Sequence, residues 1–356
     1  MKKLLGLTTA VALCAGAANA DVTVLGWGGA YGRAQTEAHV KPFQAETGIK
    51  ATMTDTDNPA APIKAMVEAN NVTVNIVSLE YADVVRLCDE GLLEEIDPAE
   101  LAPAPDGTPA EEDFLPGALS DCGVSTDVWA TVFAYDDTRF PNAKPTTISD
   151  FFDLEKFPGK RGIRKGAKTT LEMALMADGV AADDVYDMLE TPEGLERAFA
   201  KLDTIKNQVV WWEAGAQPPQ LLADGEVVMS TVYNGRIFAA AMTENKPFVT
   251  VWDGMQYEFE VYAIPVNAPD MEDAKKFLSY ATDTQHLADM TKYISYGPTR
   301  KSTAAMPMLW EDGITDMKPH LPTSEENMTN SLETSFEFWV DYDSELNERF
   351  NAWLAQ

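Results

Sequence analysis

The run Val22-Thr23-Val24-Leu25, followed at once by Gly26-Trp27-Gly28-Gly29-Ala30-Tyr31-Gly32, is the stretch on which the fold turns. Its apolar, β-branched residues read as a short buried strand, and the glycines after it as a strand-to-helix turn. The helix opened by that turn is expected to reach about residue 43, interrupted near Pro42, with Gly48 as C-terminal cap. A second strand is expected at 49–54, a helix at 63–69 and a third strand at 72–77. Strands alternating with helices imply βαβ units and a largely parallel sheet, so the fold class is α/β.

Working outward, residues 101–113 (LAPAPDGTPAEED) read as a Pro-rich acidic surface loop. A strand-rich stretch at 128–135 is followed by a turn at 141–145 and a short helix at 149–154. Helices are expected near 170–178, 182–189 and 192–206, the last with Thr191 as N-cap and Pro192 in its first turn. A strand at 227–233 leads into Asn234-Gly235-Arg236 and a helix. A long alternating strand at 257–265, a capped helix at 270–280 and a terminal helical region at 332–355 complete the chain.

The chain has 356 residues, 45% of them hydrophobic and 24% charged, which excludes wholesale disorder, collagen and coiled coil. Its length fits about two domains. Twenty-seven Lys and Arg against 57 Asp and Glu give a formal charge of −30, which repels phosphate backbones, so no nucleic-acid partner is expected. Lys2 and Lys3, an apolar run at 4–14 and Ala18-Asn19-Ala20 describe a signal peptide, residues 1–20, cleaved after Ala20. That run is too short to span a membrane, and Leu13 before Cys14 does not match a lipidation box. The mature chain keeps Cys88 and Cys122, an even number in an oxidising compartment. If they pair, closing the loop contributes roughly 3–4 kcal/mol; the other reading is two buried thiols.

Several chemistries are missing. His39, His286 and His320 stand far apart with no metal-ligand spacing, so no metal is expected. No G-x-S-x-G elbow or P-loop occurs. Tyr31 stands where a dinucleotide fingerprint needs a small residue, so no cofactor is expected. What remains is aromatic and acidic residues after strands: Trp27 and Tyr31, then Ser78, Glu80 and Tyr81, Trp211-Trp212-Glu213, Tyr233, and Glu258 with Glu260. Taken singly, each aromatic is as ordinary in a core as in a site. Grouped beyond strand ends, where open α/β sheets bind ligands, they suit an amine: aromatic faces attract a cation and a buried carboxylate needs one.

These residues resemble the spermidine/putrescine-binding family among the extracellular solute-binding proteins of bacterial ABC importers. The likeness spans nearly the whole mature chain. Its pieces, in order, are Gly26-Trp27 with Tyr31, Val77-Ser78 with Tyr81, Pro145-Thr146-Thr147-Ile148-Ser149-Asp150-Phe151 and Phe157-Pro158-Gly159-Lys160-Arg161. Then come Leu222-Ala223-Asp224-Gly225-Glu226-Val227, Tyr233-Asn234-Gly235-Arg236 and Tyr296-Gly297-Pro298-Thr299. The resemblance implies a type II periplasmic-binding-protein fold in which two α/β lobes, joined by a two-strand hinge, close on a ligand. One lobe would hold 21–128 and 259–304, the other 129–258 and 305–356, with crossings at about 130–134 and 258–261.

By position, the resemblance makes Trp27 an aromatic wall, with Tyr31 after it, and Ser78 and Tyr81 polar contacts. It makes Tyr233 the aromatic before Asn-Gly, Glu260 the acid that pairs a ligand amine, and Tyr296 a cleft tyrosine. Polyamine binders of the family carry acids before the helix at 171–175; here Lys165-Gly166-Ala167-Lys168-Thr169-Thr170 stands instead. Glu213 is the candidate replacement. Arg236 would select a carboxylate by bidentate pairing, or else serve as a helix-start arginine paired with a surface acid.

The expected function is a periplasmic, monomeric binding component of an ABC importer, without enzymatic activity. It would enclose a polyamine-class cation, putrescine or spermidine, and deliver it to the membrane permease. The alternative in the same fold is a zwitterionic amine or amino acid such as 4-aminobutyrate. A secreted hydrolase with paired carboxylates is a rival of another class, but nothing in the chain assigns one acid a raised and another a lowered pKa. An iron-binding relative would want clustered tyrosines, and Tyr233 with Tyr296 are too few.

Overall fold

The computed structural model describes residues 21–56 and 58–356; the expected signal peptide and its cleavage site lie outside them. Strand β1 (Asp21–Gly26) buries Val22 and Val24 completely and pairs in parallel with β2 (Lys50–Asp55) and β3 (Ile76–Glu80). β3 starts and ends later than its own residues foretell. Val77 to Glu80 pair antiparallel with Ala263 to Glu260, and that distant partner sets the strand's limits.

The chain continues through β4 (Leu119–Ser120), β5 (Gly123–Asp136), β6 (Arg161–Arg164), β7 (Val209–Trp212) and β8 (Met229–Tyr233). β9 (Phe248–Ala263), β10 (Gly297–Pro298) and β11 (Ser331–Glu333) follow. The strand order is β2-β1-β3-β9-β5-β8-β6-β7. β6 is parallel to β7 and β8, but the centre is antiparallel, so the sheet is mixed rather than largely parallel. The cause is the pair β5 and β9, which run antiparallel from Gly123 opposite Ala263 to Asp136 opposite Phe248. Their ladder is irregular at Ser125/Asp127 and Thr131/Phe133, where extra residues bend and twist the strands.

The two largest apolar cores lie toward opposite ends of that pair. One gathers Val22, Ile76, Val124, Val261 and Phe277; the other gathers Phe133, Phe151, Leu171, Val251 and Phe350. Each such side chain contributes about 1.5–3 kcal/mol by leaving water. This is a two-lobed α/β architecture with long strands crossing between the lobes.

Three local expectations are corrected. The first helical stretch is not broken at Pro42: it passes from Gly29–Gln35 through a π-helical turn, Thr36–Val40, into Lys41–Thr47. Pro42 stands in the first turn of that last segment, a position where proline is tolerated. Residues 331–333 are not helical but form β11, parallel to β9; the helix Phe336–Leu354 begins only after Ser335 caps it. The acidic segment 101–113 is not all surface, since Leu101, Ala104, Ala110 and Asp113 are buried and Asp113 pairs with buried Arg300 at 3.2 Å. Cys88 and Cys122 are joined, tying the helix Tyr81–Asp89 to the approach of β5.

Candidate functional site

A cavity of about 240 Å³ opens beyond the ends of four strands. Trp27 follows β1, Glu80 ends β3, Arg164 ends β6 and Tyr233 ends β8, and all four line it. Glu260 and Trp129 reach it from the crossing strands β9 and β5. Tyr31, Arg236 and Tyr296 complete the wall.

One side of the cavity is acidic. Glu80 and Asp127 are both register partners of Glu260, so three carboxyls stand abreast on β3, β9 and β5. Glu260 is only 4% exposed. Its Oε1 accepts from Trp27 Nε1 at 2.6 Å and from Ser78 Oγ at 2.7 Å. Burial, with the Asp127 charge added, holds its carboxyl well above the usual range. Burial also raises Glu80, and pushes Asp127 up to about 7. Among the described residues, no lysine or arginine forms an ion pair with any of the three.

Two guanidinium groups border the same cavity. Neither Arg164 nor Arg236 finds a side-chain or backbone acceptor for its guanidinium among the described residues. The Arg236 charge reaches Tyr296 and opposes the rise that burial imposes on its phenol. The helix Asn234–Thr243 also starts here, and its first turn adds partial positive charge. Asn234 anchors that start: its Oδ1 accepts from Ala130 N on β5 at 3.0 Å, and its Nδ2 donates to Ser295 O, beside Tyr296. The aromatic walls hold one another, with Trp129 edge-on to Tyr233 at 5.4 Å and Tyr31 against Tyr296 at 5.6 Å.

The structure thus brings together Trp27, Tyr31, Tyr233, Arg236, Glu260 and Tyr296. Three other sequence candidates lie elsewhere. Ser78 is fully buried behind Glu260 and hydrogen-bonds that carboxyl, so it does not line the cavity. Tyr81 packs on Phe336 at 5.2 Å and Phe259 at 6.2 Å in a separate, smaller cleft beside Lys168 and Glu258. Glu213 is exposed and pairs with Lys165 at 2.7 Å, so the replacement acid is spent on a lysine of the very loop it was to complement. Lys168 of that loop pairs with Glu258 at 2.8 Å.

Trp129 and Arg164 were missed, and Glu80 was noticed without a role. Arg164 ends a four-residue strand, Arg-Gly-Ile-Arg, whose arginines hide its β character. The buried Arg161 beside it is held by the carbonyls of Phe151, Gly159 and Phe157, contacts that no spacing reveals.

Among the described residues no helix is long and apolar enough to cross a membrane, and no group of three or more His, Cys, Asp or Glu side chains is placed to hold a metal ion. Residues 38–322 match the model of the family described as bacterial extracellular solute-binding protein. A gamma-aminobutyric acid-binding protein of Pseudomonas aeruginosa is 45% identical over 354 residues, covering 99% of this chain and 96% of that protein. A solved GABA receptor is 31% identical with a TM-score of 0.78, covering 94% of this chain and 98% of its own. An ABC transporter substrate-binding protein from Bradyrhizobium japonicum USDA 110 is also 31% identical, with a TM-score of 0.82 over 94% of this chain and 99% of its own. With this fold, this cleft and matches over most of its length, the chain belongs to the bacterial extracellular solute-binding proteins, the substrate-capturing components of ABC transporters.

Proposed function

We propose that the chain captures a zwitterionic amine of the 4-aminobutyrate class between its lobes and passes it to the membrane permease of an ABC importer. One observation carries the reading: among the described residues, the cavity's buried carboxyls Glu80 and Glu260 form no ion pair and its two guanidinium groups bond no acceptor, Arg164 acting on Glu80 only through its charge. A ligand with an ammonium at one end and a carboxylate at the other supplies both partners. A polyamine supplies only the first and brings like charge to Arg164 and Arg236. The 4-aminobutyrate named for two relatives supports the same ligand class, which displaces putrescine and spermidine as the leading reading.

In this account the ammonium docks on Glu260, flanked by Trp27 and Tyr296 as aromatic faces. The carboxylate docks on Arg236 and Arg164, near the start of the helix Asn234–Thr243. Residues 21–128 with 259–304 then close on 129–258 with 305–356, bending at the irregular ladder of β5 and β9. Capture needs no turnover and no second copy of the chain. It takes place in the periplasm after loss of residues 1–20.

Calorimetry on the mature protein tests the reading, using 4-aminobutyrate, putrescine, spermidine and common amino acids. The expected result is binding of 4-aminobutyrate that weakens in Arg236→Ala and Arg164→Ala. Binding of diamines alone, unchanged or improved in those variants, would overturn it and restore the polyamine ligand.

A further inference from the structure

Behind Glu260 lies a carboxyl that does not line the cavity. Asp127 is 2% exposed, and its Oδ2 accepts hydroxyl hydrogen bonds from Tyr31 at 2.8 Å and Thr126 at 2.9 Å. Its Oδ1 is equally buried and makes no hydrogen bond. Across β10 its register partner is Pro298, which has no amide to donate, and across β9 it is Glu260. A carboxylate with a bare buried oxygen beside a second carboxylate is a costly charge state.

The groups that face this pair do not relieve it. Tyr31 comes from the helix Gly29–Gln35, Tyr262 from β9 and Tyr296 from the segment before β10, and burial pushes all three phenols up, so they stay neutral. Glu80 on β3 adds negative charge to Glu260 from the other side. Arg236 borders the cavity and acts on Tyr296, and no arginine or lysine bonds to Asp127 or Glu260 among the described residues.

We infer that Asp127 is a positioning residue that shares one proton with Glu260 in the ligand-free protein and releases it when the ligand's ammonium docks on Glu260. The inference rests on the reading of an ammonium ligand at that carboxyl. The ligand keeps its own protons; its N–H groups bond to the Glu260 carboxylate, and the displaced proton leaves to the buffer. Capture is therefore proton-linked. Affinity rises with pH while the free pair is protonated, by up to about tenfold per pH unit, and levels off once the free pair has lost its proton. The linkage favours ligands with a full positive charge over neutral isosteres, because only a cation makes ionising the pair worthwhile.

The test measures the heat of 4-aminobutyrate binding in two buffers of different protonation enthalpy at about pH 6, with the difference giving the protons released. Wild type is expected to release a substantial fraction of one proton per ligand. Asp127→Asn, which keeps an acceptor for Tyr31 and Thr126, is expected to release less than half as much. Its affinity profile should also be flatter. Carboxyl NMR of the ligand-free wild type is the second readout, and should show a carboxyl titrating far above the ordinary aspartate range. Binding without proton release, or equal release in the variant, overturns the inference and leaves the ligand reading standing. No binding of any zwitterion at any pH overturns the ligand reading itself, and the linkage with it.

Discussion

Glu260 is buried between two other acids and, among the described residues, forms no ion pair, an arrangement that disfavours its ionised form in the protein alone and that a docked ammonium would reverse. Glu260→Gln should therefore weaken 4-aminobutyrate binding by about 10–100-fold, the loss of a charged hydrogen bond worth roughly 1.5–3 kcal/mol. Thermal unfolding of the ligand-free variant should show no loss of stability. Trp27→Ala should weaken binding too, since it removes both an aromatic wall and a donor to Oε1. Asp127 makes a prediction with a definite sign. Its carboxyl is raised in the folded protein to about 7, so its contribution to stability is lost as pH rises from the unfolded value through that point. Asp127→Asn does not titrate. Its stability relative to wild type should grow from about pH 4 to pH 7, by as much as roughly 4 kcal/mol, and then level off. A difference that stays constant in urea titrations across that range would refute the shift.

Among the elements, the helix Asn234–Thr243 joins the two sides of the cavity most closely. A Cβ on Gly235 would stand 2.6 Å from Tyr296 and 3.0 Å from Ile294. Gly235→Ala should push the helix away from the Tyr296 segment and weaken ligand binding while leaving most of the fold intact, which calorimetry and circular dichroism together would check. The disulfide acts on another element. Joining Cys88 to Cys122 restrains the helix Tyr81–Asp89 against the start of β5, across a separation of 34 residues. The loop-entropy model puts its contribution at about 3–4 kcal/mol, so reduction should lower the urea midpoint clearly. An unchanged midpoint would mean that the reduced, unfolded chain is already restrained.

At the scale of the molecule, β5 and β9 are the only paired strands that reach deep into both large cores among the described residues. Closure about them should reduce the radius of gyration in X-ray scattering when saturating ligand is added. Ligand at about 100 times its Kd should stabilise the protein by roughly 2.7 kcal/mol. A ligand that stabilises without compaction would argue for a cleft that does not close.

The α/β class, the position of β1 and the glycine turn after it follow from residues adjacent in the chain. A period of two, a glycine and a helical stripe are local signals. So is the even pair of cysteines. Most of the cavity's aromatic and charged residues were likewise legible, because binding residues collect just past strand ends. The tertiary structure decided the rest. β3 ends at Glu80 because β9 pairs with it, so the abreast carboxyls of Glu80, Glu260 and Asp127 come from strands up to 180 residues apart. Residues 331–333 became a strand for the same reason, an open edge on β9 offering a partner that helix propensity could not outweigh. Glu213 was set aside by a lysine that folding brought to it. A charge acquires its meaning from its neighbours, and those are chosen by chain segments far apart in sequence.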